Sequence, residues 1–214
     1  MSLEILLGPM FAGKSSAILR TVNRYKSLGW PICSITHSSD SRYSDDARLS
    51  NHDLASIPCV KWSSLLDHLD HPCFTSARLV IVDEAQFFPD LRDFVVHAVD
   101  VCKKSVLVVG LDGDADRRPF GQLLDCIPLA DSVTKLKSFC GICGDGTEAI
   151  FTHRHANFRS HKGCLDPAEA GPSHRHANSS QTQVGTAGDN ILVGGAETYV
   201  PLCRKHYLEA VVGY

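Results

Sequence analysis

The segment Gly8-Pro9-Met10-Phe11-Ala12-Gly13-Lys14-Ser15 satisfies G-x-x-x-x-G-K-[ST] at every fixed position. It constrains the fold because the pattern functions only as a loop between a strand and a helix. Glycines let backbone N–H groups close on phosphate oxygens, Lys14 brings a cation to the outer phosphates, and Ser15 offers a hydroxyl to Mg²⁺. Both flanks supply that context. Leu3 to Leu7 reads as a short buried strand, and Ile18, Val22, Tyr25 and Leu28 fall on one helical face before Gly29. The helix then aims its N-terminus at an anion, so nucleoside triphosphate binding is the expectation.

The pattern continues as alternating strands and helices. Ile32 to Thr36 reads as a second strand, the polar stretch from His37 to Asp53 as a loop, and Trp62 to Leu69 as a short helix. Leu79-Val80-Ile81-Val82 is apolar without alternation, as in a central parallel strand covered on both faces. Asp90 is placed to cap a helix running to Lys103, with Leu91, Phe94, Val95, Ala98 and Val101 inward. Val106 to Val109 is another buried strand, and Val133 to Leu136 the last. The expected fold is α/β, a P-loop parallel sheet flanked by helices over residues 1–137.

From Cys140 the character changes. Cys140-Gly-Ile-Cys143 and Cys203-Arg-Lys-His206 are two corners at the spacing that places a pair of ligands on one ion. Three thiolates and an imidazole complete a tetrahedron, which suits structural Zn²⁺ and leaves no position for a catalytic water. Buried thiols beside an unrelated surface histidine are the alternative, and metal analysis separates the two. Residues 138–214 are therefore expected to form a small zinc-binding lobe. Between the corners, about 154–189 reads as a flexible insertion rich in His, Ser and Gly. A second metal site at His161, Cys164, His174 and His176 is the weaker reading of that insertion.

Net charge and cysteine usage narrow the class. A formal charge of −3 with no basic cluster gives nucleic acid no footprint. No apolar run approaches a membrane span, and the first residues enter a strand without a leader-like pattern, so a soluble cytoplasmic protein is expected. In that setting the nine cysteines are expected as thiols or metal ligands rather than disulfides.

Asp83 ends the strongest strand, where ligands of open α/β sheets bind and where a carboxylate would orient Mg²⁺ or its waters. Glu84 follows it and faces another way, available to an acceptor. Left there, the residues admit a nucleoside kinase, another P-loop ATPase or kinase, or a zinc-dependent nucleotide-binding regulator without turnover.

GPMFAGKS at 8–15, Asp40-Ser41-Arg42-Tyr43, Asp83-Glu84-Ala85-Gln86-Phe87-Phe88, Leu111-Asp112-Gly113 with Arg118-Pro119-Phe120-Gly121, the paired zinc corners, and Gly194-Gly195-Ala196 with Tyr199 follow in one order. In that order the chain resembles the small zinc-containing cytosolic (type II) thymidine kinases over nearly all its length except the insertion. The resemblance implies transfer of the γ-phosphoryl group of ATP, with Mg²⁺, to the 5′-hydroxyl of thymidine and of deoxyuridine. It makes Glu84 the general base and has Lys14 and Arg42 neutralise phosphate charge, with Asp40 nearby. Met10, Phe87, Leu111 and Phe120 wall the base pocket. Ile191, Leu192, Val193 and Gly194 lie in a zinc-pinned loop over the thymine, with Tyr199 against the nucleoside. Feedback by thymidine triphosphate and a homotetramer are also implied. Three departures stand out: Ala115 where the family carries an aromatic residue, His206 where a fourth Cys is common, and the insertion.

Overall fold

Aliphatic runs too short for helices need cover on both sides, and the chain supplies it by threading them into one sheet. The computed structural model describes residues 1–39, 48–50, 56–154 and 198–212. Strands β1 (Ser2–Leu7), β2 (Ile32–His37), β3 (Arg48–Ser50), β4 (Ser56–Pro58), β5 (Val60–Trp62), β6 (Leu79–Val82), β7 (Ser105–Gly110) and β8 (Ser132–Lys135) form the larger part. Six of them make a sheet in the order β5-β2-β6-β7-β1-β8, and every pairing in it is parallel. All six carboxyl ends therefore share one edge.

Period-two alternation divides the core between the faces. Leu79, Ile81, Leu107 and Val109 pack with Ile18 and Val22 of helix α1 (Lys14–Lys26). Val80, Val82, Val106 and Val108 pack with Phe74 of α2 (Pro72–Ser76) and Phe94 of α3 (Leu91–Val96). Four-residue β6 is buried throughout, as its unbroken apolar run predicted. No helix among the described residues is long and apolar enough to cross a membrane.

Several sequence expectations need correction. The stretch from His37 to Asp53 is not all loop, since Arg48–Ser50 pairs antiparallel with Ser56–Pro58. The Trp62–Leu69 helix is absent: Trp62 ends edge strand β5 in register with His37, and only Leu66–His68 turns, as a 3₁₀ segment. Asp90 causes this. Its carboxylate accepts from Ser64 Oγ at 2.7 Å and from the N–H groups of Leu65 and Leu66 at 2.8 Å each, so it fixes that turn instead of capping α3. Beyond Val96 the helix widens into a π turn at His97–Val101, which rotates Val101 out to 64% exposure. Leu28 lies past the end of α1 and is 63% exposed. The cysteines also depart from expectation: Cys33 in β2 and Cys73 in α2, with Cα atoms 5.3 Å apart, are joined as a disulfide.

The remaining elements are β9 (Ser138–Phe139), β10 (Glu148–Ala149), β11 (Phe151–Arg154), β12 (Tyr199–Leu202) and α4 (Arg204–Val212). They form two small antiparallel pairs, β9 with β10 and β11 with β12, around a separate cluster of Cys140, Ala149, Val200, Leu202, Cys203 and Tyr207.

Candidate active site

At the end of β1 the chain turns through the glycine-rich loop into α1. Gly13 caps α1 with φ +78°, and a Cβ there would meet nothing within 4 Å, so the backbone is open to an approaching group. No side chain caps the helix and its first turn holds no acidic residue. The first-turn N–H groups, which have no acceptor within the helix, and the positive end of the helix dipole thus point the same way, as an anion cradle requires. The Lys14 ammonium lies across it, donating to the carbonyls of Pro9 at 2.8 Å and Gly8 at 3.1 Å.

Two strands away, Asp83 and Glu84 follow directly after β6 and are 2% and 8% exposed. Glu84 has φ +51°, a left-handed conformation costing a non-glycine residue roughly 1 to 2 kcal/mol. The described chain has four non-glycine residues in that region, Phe11, Glu84, Lys103 and Arg117, and two of them, Phe11 and Glu84, lie in the motifs singled out from sequence. Strain concentrated so is expected where geometry serves a task. Phe87 and Phe120 meet edge to face at 5.4 Å between ring centroids, and His37, from the end of β2, lies 5.6 Å from Phe87. Leu111, directly after β7, donates its N–H to Gln86 Oε1 at 3.1 Å.

The small lobe reaches this edge in two places. Thr152 of β11 accepts the Met10 N–H at 3.0 Å through its hydroxyl, which docks the β11/β12 pair on the phosphate loop. Tyr207 donates its hydroxyl to the Ala115 carbonyl at 2.8 Å, while the Arg117 guanidinium sits 4.4 Å from its ring centroid. The residue beside Tyr207 is His206, and His206 belongs to the set that could hold a metal ion. The ligand atoms of Cys140, Cys143, Cys203 and His206 all lie within 4.8 Å of one another. His206 Nδ1 is 3.4, 3.2 and 3.5 Å from the sulfurs of Cys140, Cys143 and Cys203, and the last two sulfurs are 3.8 Å apart. A zinc tetrahedron with ordinary bond lengths requires edges of about 3.8 Å between sulfurs and about 3.5 Å from sulfur to nitrogen. Four of the six edges, those of His206 to each sulfur and that between Cys143 and Cys203, come close to those lengths. Glu209 Oε2 stands 3.7 Å from His206 Nε2, where it can orient the ring. Burial alone would raise the Cys140 thiol, but main-chain groups of Cys203, Ile142 and Cys143, with the His206 ring, bring it down to about 6. A thiol held there is largely a thiolate near neutrality, the form that binds metal, whereas burial and the neighbouring Cys140 and Cys203 sulfurs push Cys143 the other way, up to about 11, so an ion would have to displace its proton.

A sequence profile described as thymidine kinase matches residues 1–207. The chain belongs to that family. Thymidine kinase of Oryza sativa subsp. japonica is 37% identical over 98% of this chain and 67% of its own length. Thymidine kinase a of Arabidopsis thaliana is 37% identical over 97% of this chain and 75% of its own. The cytosolic thymidine kinase of Homo sapiens is 30% identical over 99% and 75% respectively. The resemblance read from the motifs is thus a family relationship across the whole chain.

In this thymidine kinase family member, Gly8 to Ser15, Asp83, Glu84, Phe87, Leu111 and Phe120 are set around the carboxyl edge of one sheet. Tyr199 is placed at the start of β12, opposite Arg154, in the pair docked on Met10. Asp40, Arg42, Ile191, Leu192, Val193 and Gly194, with the insertion and its histidines, lie outside the described residues. Sequence reasoning missed Gln86, Thr152 and Tyr207. Gln86 stood inside a quoted motif, and Tyr207 stood one residue from a predicted ligand, but a lone polar residue in a short strand gives no signal for Thr152.

Proposed function

We propose that this chain transfers the γ-phosphoryl group of ATP to the 5′-hydroxyl of thymidine, and to that of deoxyuridine, with Glu84 as general base. The observation that carries this reading is the strained, buried Glu84 at the same sheet edge as the phosphate cradle, in a chain of the thymidine kinase family. The acceptor oxygen attacks the γ-phosphorus and its proton passes to the Glu84 carboxylate. The bond to the bridging oxygen breaks, and ADP leaves.

Phosphoryl transfer asks little covalent chemistry of the protein, so positioning and charge supply most of the acceleration. Lys14, the α1 N-terminus and Arg42 would neutralise the phosphates, with Asp40 in support. Ser15 and Asp83 offer oxygen donors of the kind Mg²⁺ takes, and the ion arriving with ATP would neutralise charge on the outer phosphates. Phe87, Phe120, Leu111 and Met10 would enclose the base, with Tyr199 against the nucleoside and residues 191–194 closing over it. Zinc at Cys140, Cys143, Cys203 and His206 has a structural part, holding the lobe that supplies this cover. The division into a phosphate-binding part, 1–137, and a covering lobe, 138–214, belongs to the same reading. So do a cytoplasmic location, a homotetramer and feedback by thymidine triphosphate.

A nucleoside panel with ATP and Mg²⁺ tests it. ADP should form only when thymidine or deoxyuridine is added, with stoichiometric nucleoside monophosphate. Nucleoside-independent hydrolysis would favour a P-loop ATPase, and no turnover a regulator.

A further inference from the structure

Gln86 is 3% exposed, and both ends of its carboxamide are engaged. Nε2 donates to Glu84 Oε2 at 2.6 Å, and Oε1 accepts from the Leu111 N–H at 3.1 Å. One side chain thus ties the carboxylate after β6 to the first residue after β7. Its surroundings keep it there. Gly110 passes so close that a Cβ would lie 2.5 Å from Gln86 Oε1 and 2.8 Å from Leu123 Cδ1. Gly121, at φ +60°, presses on the Gln86 backbone, and a Cβ there would come within 2.1 Å of its carbonyl oxygen. These two glycines bracket the segment carrying Leu111 and Phe120, which the proposed function sets around the nucleoside base.

We infer that Gln86 is the positioning residue for Glu84: it holds the carboxylate in its productive orientation and links that orientation to the loop that encloses the base. The inference rests on Glu84 being the general base. A buried, charge-assisted hydrogen bond removes the rotameric freedom a carboxylate otherwise has, and an amide fixes the base without competing for the acceptor's proton. Because Oε1 is anchored to Leu111, a displaced nucleoside loop would displace the base with it. Recognition of the acceptor and proton removal become one mechanical unit.

Three variants test this by steady-state kinetics with thymidine, ATP and Mg²⁺ from about pH 6 to 9, the span in which a coupled carboxyl pair can release its second proton. Gln86→Leu should lower kcat about 100-fold, the cost of misplacing a catalytic group, and leave the KM for ATP unchanged. Gln86→Glu is nearly isosteric, and it discriminates. At the lower end the two carboxyls share one proton, the introduced group donates as the amide does, and activity is retained. As pH rises that proton is lost, the carboxylates repel, and kcat falls along an alkaline limb steeper than any in the unmodified enzyme. A residue that only fills the core would produce no such limb. Should Gln86→Leu fail to fold, the Gln86→Glu profile decides alone. An unaltered kcat in Gln86→Leu, or an unaltered profile in Gln86→Glu, beside an inactive Glu84→Gln protein, overturns this inference and spares the base assignment. Parental activity in Glu84→Gln removes the base assignment, and the inference with it.

Discussion

The sheet and the small lobe hold their shapes by different means. Around β6 and β7 the sheet buries aliphatic side chains on both faces against α1, α2 and α3. Among the lobe's described residues the buried apolar cluster is Cys140, Ala149, Val200, Leu202, Cys203 and Tyr207, and two of those six are cysteines of the candidate metal set. With zinc bound as proposed, the lobe would draw its order from the ion, whereas the sheet draws its order from apolar burial. The proposed function gives the two regions different work: a rigid edge for phosphates and base, and a cover whose order a metal would set.

The sharpest way to break that contrast is to remove the metal. Structural zinc sites contribute about 10 to 16 kcal/mol of apparent binding energy near neutral pH, and here that energy would be the lobe's folding energy. Cys143→Ser, or a strong chelator, should abolish protection of the amides in β9 to β12 while those in β6 and β7 remain protected. Hydrogen exchange alongside zinc analysis reads this directly. A metal-free lobe with unchanged protection would show that the two regions are alike after all. The reverse experiment cuts the sheet. Ile81, fully buried in β6, should cost about 2 to 5 kcal/mol on replacement by Ala, with one zinc per chain retained in the folded fraction.

A smaller effect probes the joint between the regions. Tyr207→Phe removes the hydroxyl that bonds the Ala115 carbonyl and should cost about 1 kcal/mol, with faster exchange confined to the 113–118 loop. The smallest concerns thiols. Burial, with Asp125 nearby, pushes Cys126 up to about 11, so it stays a protonated thiol at pH 8, and its sulfur is buried whereas Cys102 is exposed to reagent. Alkylation at pH 8 should therefore label Cys102 and spare Cys126. Its folded value lies above the ordinary 9.0, so its contribution to stability is complete below that value and lost as pH rises toward 11.

The sheet was legible because continuous apolar runs and a glycine-rich loop encode local geometry directly. Leu79 to Val82 had one reading, and it is a central strand. Legibility stopped where a distant residue decides the outcome. Asp90 was placed as a helix cap by its position before Leu91, yet its carboxylate serves Ser64, Leu65 and Leu66, more than twenty residues away in sequence. Val101 obeyed helical spacing, and a π turn rotated it outward. The convergence of Cys140, Cys143, Cys203 and His206 was legible for the same reason as the sheet, since each corner is a local motif. Gln86 and Tyr207 were not, because what distinguishes them is a partner: Leu111 for one, Ala115 for the other.

The central claim is that the carboxylate of Glu84 takes the proton of an acceptor hydroxyl held at this edge. Transfer of labelled γ-phosphate from ATP to thymidine by Glu84→Gln, measured against the unmodified protein, tests it most directly. Turnover should fall at least about 100-fold, with the fold, the zinc content and ATP affinity retained. Undiminished transfer by that variant would contradict the claim.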